Sequence, residues 1–177
     1  KANTLMANNA SRISLVSQDP DGLAGVDSTR LQTMTKANQK AFTSVREATM
    51  KDDISWLVVA AAGQAWAEKV FPDLSGQAAV NRLWEEILKD VRIDDTSDAI
   101  DHWNHHIKKL QAKADWLNQQ NFKALHYKNA KSDFTIGLAE GHIWEAAISQ
   151  DKAGNIFIPN MPTEEVFTDR KSTRLNS

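Results

Sequence analysis

The chain has 177 residues, 41% of them hydrophobic and 25% charged, which are ordinary globular proportions. Its formal net charge of −2 gives no electrostatic reason to expect nucleic acid or an anionic membrane as partner. Cysteine is absent, which excludes a disulfide frame and a thiolate metal site and fits a reducing, cytoplasmic setting. No apolar run approaches the length of a membrane span, and the N-terminus lacks a basic-then-apolar leader pattern. Beginning at Lys1 rather than Met, the chain is expected to start inside a longer protein.

In chain order, residues 1 to 10 are polar and suit a frayed helix end. Arg12 to Ser17 alternate as a short strand does, and Asp19-Pro-Asp-Gly22 is a turn cluster. Ser28 to Met50 are mostly helix formers and predict one helix. Ile54 to Ala62 form a short apolar run rich in Ile, Val and Trp, the texture of a buried strand in a mostly parallel sheet. Ala65 to Val70 turn helical and stop before Pro72.

Ser75 is placed to cap a helix whose apolar stripe is Ala79, Leu83, Ile87 and Val91, with Trp84 and Leu88 beside it. A further helix is predicted from about Ser97 to Gln120. There Trp103, Ile107, Leu110, Ala114 and Leu117 recur at steps of three or four and share a face. Past Asn121 the texture changes to short β-prone stretches: Phe122 to Tyr127, Asp133 to Leu138, His142 to Ser149 and Ile156 to Ile158. The expected fold class is α/β, with an α/β part over 1–121 and a β-rich part over 122–168. The polar, basic nonamer 169–177 breaks the pattern and is expected to be a disordered or non-native tail.

Several residues have the chemistry of a site. His102, His105 and His106 lie on one helix, and His102 and His106 are four apart, as zinc-binding histidines are. Trp103 stands where a His-Glu-x-x-His motif needs its Glu, so a partly solvated helix face beside the Trp103 stripe is the competing reading. Asp94, Asp95, Asp98 and Asp101 suit the positive end of a helix dipole. A calcium loop would need regular oxygen spacing and a central Gly, and neither is present. Glu140 and His142 could face one side of an extended segment, or sit in a β-turn shaped by Gly137 and Gly141. Phosphate-loop, nucleophile-elbow and paired Cys-x-x-Cys motifs do not occur. The six tryptophans follow apolar patterns and belong to core or interface.

Asn160-Met-Pro-Thr-Glu-Glu-Val-Phe-Thr168 places the carboxylates Glu164 and Glu165 between a turn signal and a β-prone triplet. On extended backbone two adjacent side chains point to opposite faces, so one could hold a metal while the other takes another role. The same pair could equally be a solvated surface feature of a non-catalytic binding or scaffold module.

These residues fall in an ordered series. Trp56-Leu-Val-Val-Ala-Ala is followed by Ala65-Trp-Ala-Glu-Lys-Val-Phe-Pro-Asp-Leu74, Ala79-Val-Asn-Arg-Leu-Trp84, Trp103 with His106, and Ala124-Leu-His-Tyr127. Asp133-Phe-Thr-Ile-Gly-Leu-Ala-Glu-Gly-His-Ile-Trp144 and the Thr-Glu-Glu segment complete it. In this series the chain resembles the aminopeptidase T family of metallopeptidases, up to Thr168. The resemblance implies an exopeptidase that removes residues from peptide N-termini with two divalent ions of zinc, cobalt, manganese or magnesium. One ion would activate water, and the pair would polarise the scissile carbonyl. It also implies that Glu165 is a metal ligand and Glu164 the general base or a second ligand. The other glutamate, histidine and aspartate ligands would lie beyond this chain, which alone is then expected to be inactive. The resemblance admits a homodimer.

Overall fold

The computed structural model describes residue 4, residues 10–95 and residues 98–168. The expectations for the first ten residues and for the tail lie almost wholly outside them. Strand β1 is Arg12–Val16, helix α1 Ser28–Ala41, α2 Thr43–Met50, and strand β2 Trp56–Ala60. Helices α3 (Gln64–Val70), α4 (Gly76–Asp90) and α5 (Ala99–Gln120) follow. The remaining strands are β3 (Ala124–Lys128), β4 (Asp133–Gly137), β5 (Trp144–Ala146), β6 (Ser149–Gln150), β7 (Ile156–Phe157), β8 (Asn160–Met161) and β9 (Val166–Thr168). The class is mixed α/β, as expected.

By compactness the described residues divide into two units, one of residues up to 99 with 149–162, the other of 100–148 with those from 163 onward. In the first unit β1, β2 and β8 form a parallel sheet in that order. The strand foreseen at Ile54 to Ala62 is therefore present, but it is half-buried along its whole length rather than buried. Its neighbour β1 leaves Ile13 and Leu15 exposed on one side, so the described residues do not cover this sheet on both faces.

The helix foreseen over 28–50 is interrupted at Phe42, whose ψ of 15° leaves the helical range. Its N–H still closes α1 on the Asn38 carbonyl at 2.9 Å, and its own carbonyl opens α2. Helix α4 follows the sequence pattern closely: Ala79, Leu83 and Ile87 are buried, with Val91 just past the end. They pack with Ala67, Trp66, Phe71 and Val80. Full burial of a Leu or Ile side chain contributes about 1.5–3 kcal/mol. Ser75 stands at the cap position, but its side chain makes no capping bond. The Glu68 carboxylate takes the Gly76 N–H instead, at 2.8 Å, and also receives the Gln64 amide at 2.9 Å. These two hydrogen bonds, the Gly76 one first, hold the Glu68 carboxyl below its ordinary pKa.

The hairpin β6–β7 is organised around Asp151, a buried carboxylate. It accepts the Ser55 hydroxyl at 2.6 Å, the Asn155 amide at 2.9 Å, and the backbone N–H groups of Ala153 and Asn155. Four donors satisfy a charge that burial would otherwise penalise. The Ser55 bond first, and then those from Asn155 and Ala153, pull the carboxyl down to about 2.

In the second unit Trp103, His106, Leu110 and Ala114 form the buried stripe of α5. Leu110 and Ala114 pack with Trp144, Ala146 and Ala147, and Ile107, Leu117, Leu125, Leu138 and Val166 close around them. Strands β3 and β4 form an antiparallel hairpin in which Tyr127 and Phe134 stack at 5.1 Å. Strand β5 pairs antiparallel with β9, placing Trp144 opposite Thr168 and Ala146 opposite Val166. That register fixes where the chain after the Glu pair enters the sheet.

Candidate functional site: a carboxylate pair ahead of strand β9

Glu164 and Glu165 are exposed and sit in the loop immediately before β9. The strand begins at Val166, so the pair precedes the β-prone triplet Val166–Thr168 as the sequence places it. Ala146 pairs with Val166, and the two preceding residues lie outside the ladder. The carboxylates therefore do not alternate across a sheet. Glu165 turns back, and its Oε2 accepts the Glu164 N–H at 3.0 Å.

The residue before the pair is anchored. Thr163 is buried, and its carbonyl lies 2.8 Å from His106 Nε2. A carbonyl oxygen only accepts, so Nε2 must carry the proton and donate it. The same nitrogen is 3.6 Å from Glu164 Oε2, outside hydrogen-bond range but close enough for electrostatic attraction to a donor N–H. Trp103 meets the His106 ring edge-on, with centroids 5.7 Å apart and planes at 86°.

The structure separates the three helical histidines. His102 and His105 are exposed, while His106 is buried within the apolar stripe, so they are not one cluster on a solvated face. The periodicity carried that signal: His106 is three after Trp103 and four before Leu110. Asp101 lies in the first turn of α5, where a carboxylate suits the helix dipole.

Glu140 and Gly141 form a turn, with Gly141 at φ 72°, and His142 Nδ1 donates to the Ala139 carbonyl at 2.8 Å. The turn reading is the observed one. A cavity of about 300 Å3 beside it is lined by Asn121, Lys123, Leu138, Glu140 and His142 among others. His126 is an exposed hairpin residue paired with Asp133 at 2.6 Å.

As donors for a metal, the residues present fit part of a centre and not the whole. Glu164 and Glu165 offer carboxylate oxygens, but His106 Nε2 is committed to a carbonyl and has no lone pair to give. Among the described residues no group of three or more His, Asp or Glu is arranged to hold an ion. No helix among them is long and apolar enough to cross a membrane.

A mixed α/β chain with an exposed carboxylate pair, anchored at its approach, is compatible with hydrolytic metal chemistry, and comparison with known proteins narrows the class. Residues 1–176 match the family described as thermophilic metalloprotease (M29), and the chain belongs to that family. It is 44% identical over 165 residues to aminopeptidase PepS of Streptococcus thermophilus, covering 93% of this chain and 40% of that protein. It is 43% identical over 164 residues to aminopeptidase AmpS of Bacillus subtilis (strain 168), with the same two coverages. The solved structure of wild-type AmpT from Thermus thermophilus superposes with a TM-score of 0.84 at 35% identity, over 94% of this chain and 40% of that one. The chain thus spans about 40% of the length of these curated relatives.

Proposed function

We propose that this chain is part of a metal-dependent aminopeptidase acting on peptide N-termini in the cytoplasm, and that Glu164 and Glu165 belong to its catalytic centre. In this reading residues 1–121 are the C-terminal part of an α/β domain and 122–168 open the catalytic domain. Glu165 is a metal ligand, and Glu164 is the general base or a second ligand. The observation that carries the reading is the placement of the pair, exposed on a short loop whose backbone is held at Thr163 and again at Val166.

Two divalent ions held there would make water acidic enough to ionise near neutral pH and would polarise a carbonyl. The chain's own residues supply the rest. Glu165 presents a carboxylate whose orientation is biased by the Glu164 N–H. Glu164 is placed to hold the proton leaving the nucleophile, a role worth roughly 10²- to 10⁴-fold in rate. Two carboxylates without imidazole or thiolate help form a weak zinc or cobalt site. Completion of the centre therefore requires ligands from the part of the relatives that this chain does not match.

The test compares the purified 177-residue chain with a chimera in which it replaces the matched portion of the Bacillus aminopeptidase. The chimera should hydrolyse aminoacyl substrates with added zinc, cobalt, manganese or magnesium, and the chain alone should not. A folded, metal-loaded chimera without activity would defeat the enzymatic reading and favour the scaffold module.

A further inference from the structure

We propose that His106 is a positioning residue that latches the approach to the Glu pair onto α5 and so sets the aim of Glu164 and Glu165. The inference rests on the role proposed above for those carboxylates. Residues 164 and 165 form a two-residue span between two fixed points. On one side Val166 is held in register opposite Ala146. On the other the buried Thr163 carbonyl receives the His106 Nε2–H at 2.8 Å. Neither glutamate is itself in a strand, so these two anchors define the direction of the span.

The latch is stiff for physical reasons. His106 is on the buried stripe of a 22-residue helix, and Trp103, three residues earlier, packs edge-on against its ring. A ring so placed cannot swing away without exposing apolar surface. The same nitrogen lies 3.6 Å from Glu164 Oε2, outside hydrogen-bond range but close enough for electrostatic attraction to draw that carboxylate toward the helix side. Because Nε2 carries the proton, His106 acts through the backbone and not as a ligand. Catalytic constellations tolerate misplacement of only about 0.5 Å, so loss of one anchor is expected to weaken the centre without touching its ligands.

The test uses His106→Leu, which removes the donor but keeps an apolar side chain, and His106→Gln, whose amide can reach the same carbonyl. In the purified chain, hydrogen exchange over residues 163–168 should quicken in His106→Leu, while the β3–β4 hairpin stays as in the parent. In the chimera, His106→Leu should lose metal affinity by roughly 10- to 100-fold, the usual effect of removing a partner behind a ligand. His106→Gln should recover most of both. Unchanged exchange in His106→Leu, or faster exchange with unchanged metal affinity, overturns the proposal. If His106→Leu does not fold, the unmodified chain decides. A scalar coupling across the hydrogen bond from His106 Nε2 to the Thr163 carbonyl carbon is expected, and an Nε2 without a proton overturns it. Glu165→Gln in the chimera separates this from the ligand assignment. Unchanged metal affinity there defeats the ligand role, whereas the exchange and coupling results judge the latch itself.

Discussion

The side chain of Asn118 makes both hydrogen bonds that a neighbouring strand would make to Trp144. Its Oδ1 accepts the Trp144 N–H at 2.7 Å, and its Nδ2 donates to the Trp144 carbonyl at 2.9 Å. Helix α5 thereby holds strand β5 at the residue whose indole fills the core of the second unit. A carboxamide offers a donor and an acceptor side by side in one planar group. Asn118→Ala should cost about 1–3 kcal/mol, since it leaves two half-buried backbone groups without partners. Asn118→Asp should also destabilise, because it keeps the acceptor and loses the donor. Urea melts of both variants check this; an Asn118→Ala midpoint equal to the parent's would contradict it.

Ser55 and Asp151 supply a second prediction, with a defined pH dependence. The Asp151 carboxyl is pulled from its ordinary 3.8 to about 2 in the folded chain. A depressed carboxyl pKa adds stability that is fully present above the unfolded value and is lost as pH falls toward the folded one. The parent should therefore lose stability between about pH 4 and pH 2, and Asp151→Asn should flatten that part of the curve. At neutral pH Asp151→Ala should lower Tm by roughly 5 °C or more, because four donors lose their acceptor. Thermal melts across the acid range read both effects. An Asp151→Asn curve parallel to the parent's would show that the carboxylate is not held as described.

The cap of α4 gives a third prediction, which goes against sequence intuition. Ser75→Ala should change stability by no more than about 0.5 kcal/mol, because its hydroxyl caps nothing. Glu68→Ala should be the more damaging change, since it removes the acceptor of the Gly76 N–H. Melting the two variants side by side ranks them. The opposite order would restore the conventional serine cap.

These cases show where the sequence is legible. Regular helices declare themselves locally: the stripe Ala79, Leu83, Ile87 recurs with the helical period and is buried as the period requires. His106 is just as readable in principle, since it falls in the Trp103–Leu110 stripe. Its polarity and the neighbouring His102 and His105 point to a wet face instead. What could not be read is non-local. Asn160–Met161 pairs parallel with β2 a hundred residues earlier, and two residues carry no periodicity. Ser55 and Asp151 are 96 residues apart, and neither announces the other. The break at Phe42 coincides with Phe42-Thr43-Ser44-Val45, a run of weaker helix formers that does not by itself specify a break. The Glu pair is legible by its motif and by its place before the β-prone triplet, while the β5–β9 register that holds the triplet is displayed only by the folded chain.

Metal analysis with kinetics on two variants of the chimera tests most directly the proposal that Glu164 and Glu165 belong to one metal centre. Glu165→Gln nearly keeps the shape while removing the charge of the proposed ligand, so it should lower metal occupancy. With Glu164 as the base, Glu164→Gln should keep metal bound and lower kcat by a factor of roughly 10² to 10⁴. Equal loss of metal in both variants would make Glu164 a second ligand. Full metal content and full activity in both would contradict the account and leave the pair a surface feature of a chain whose function lies elsewhere.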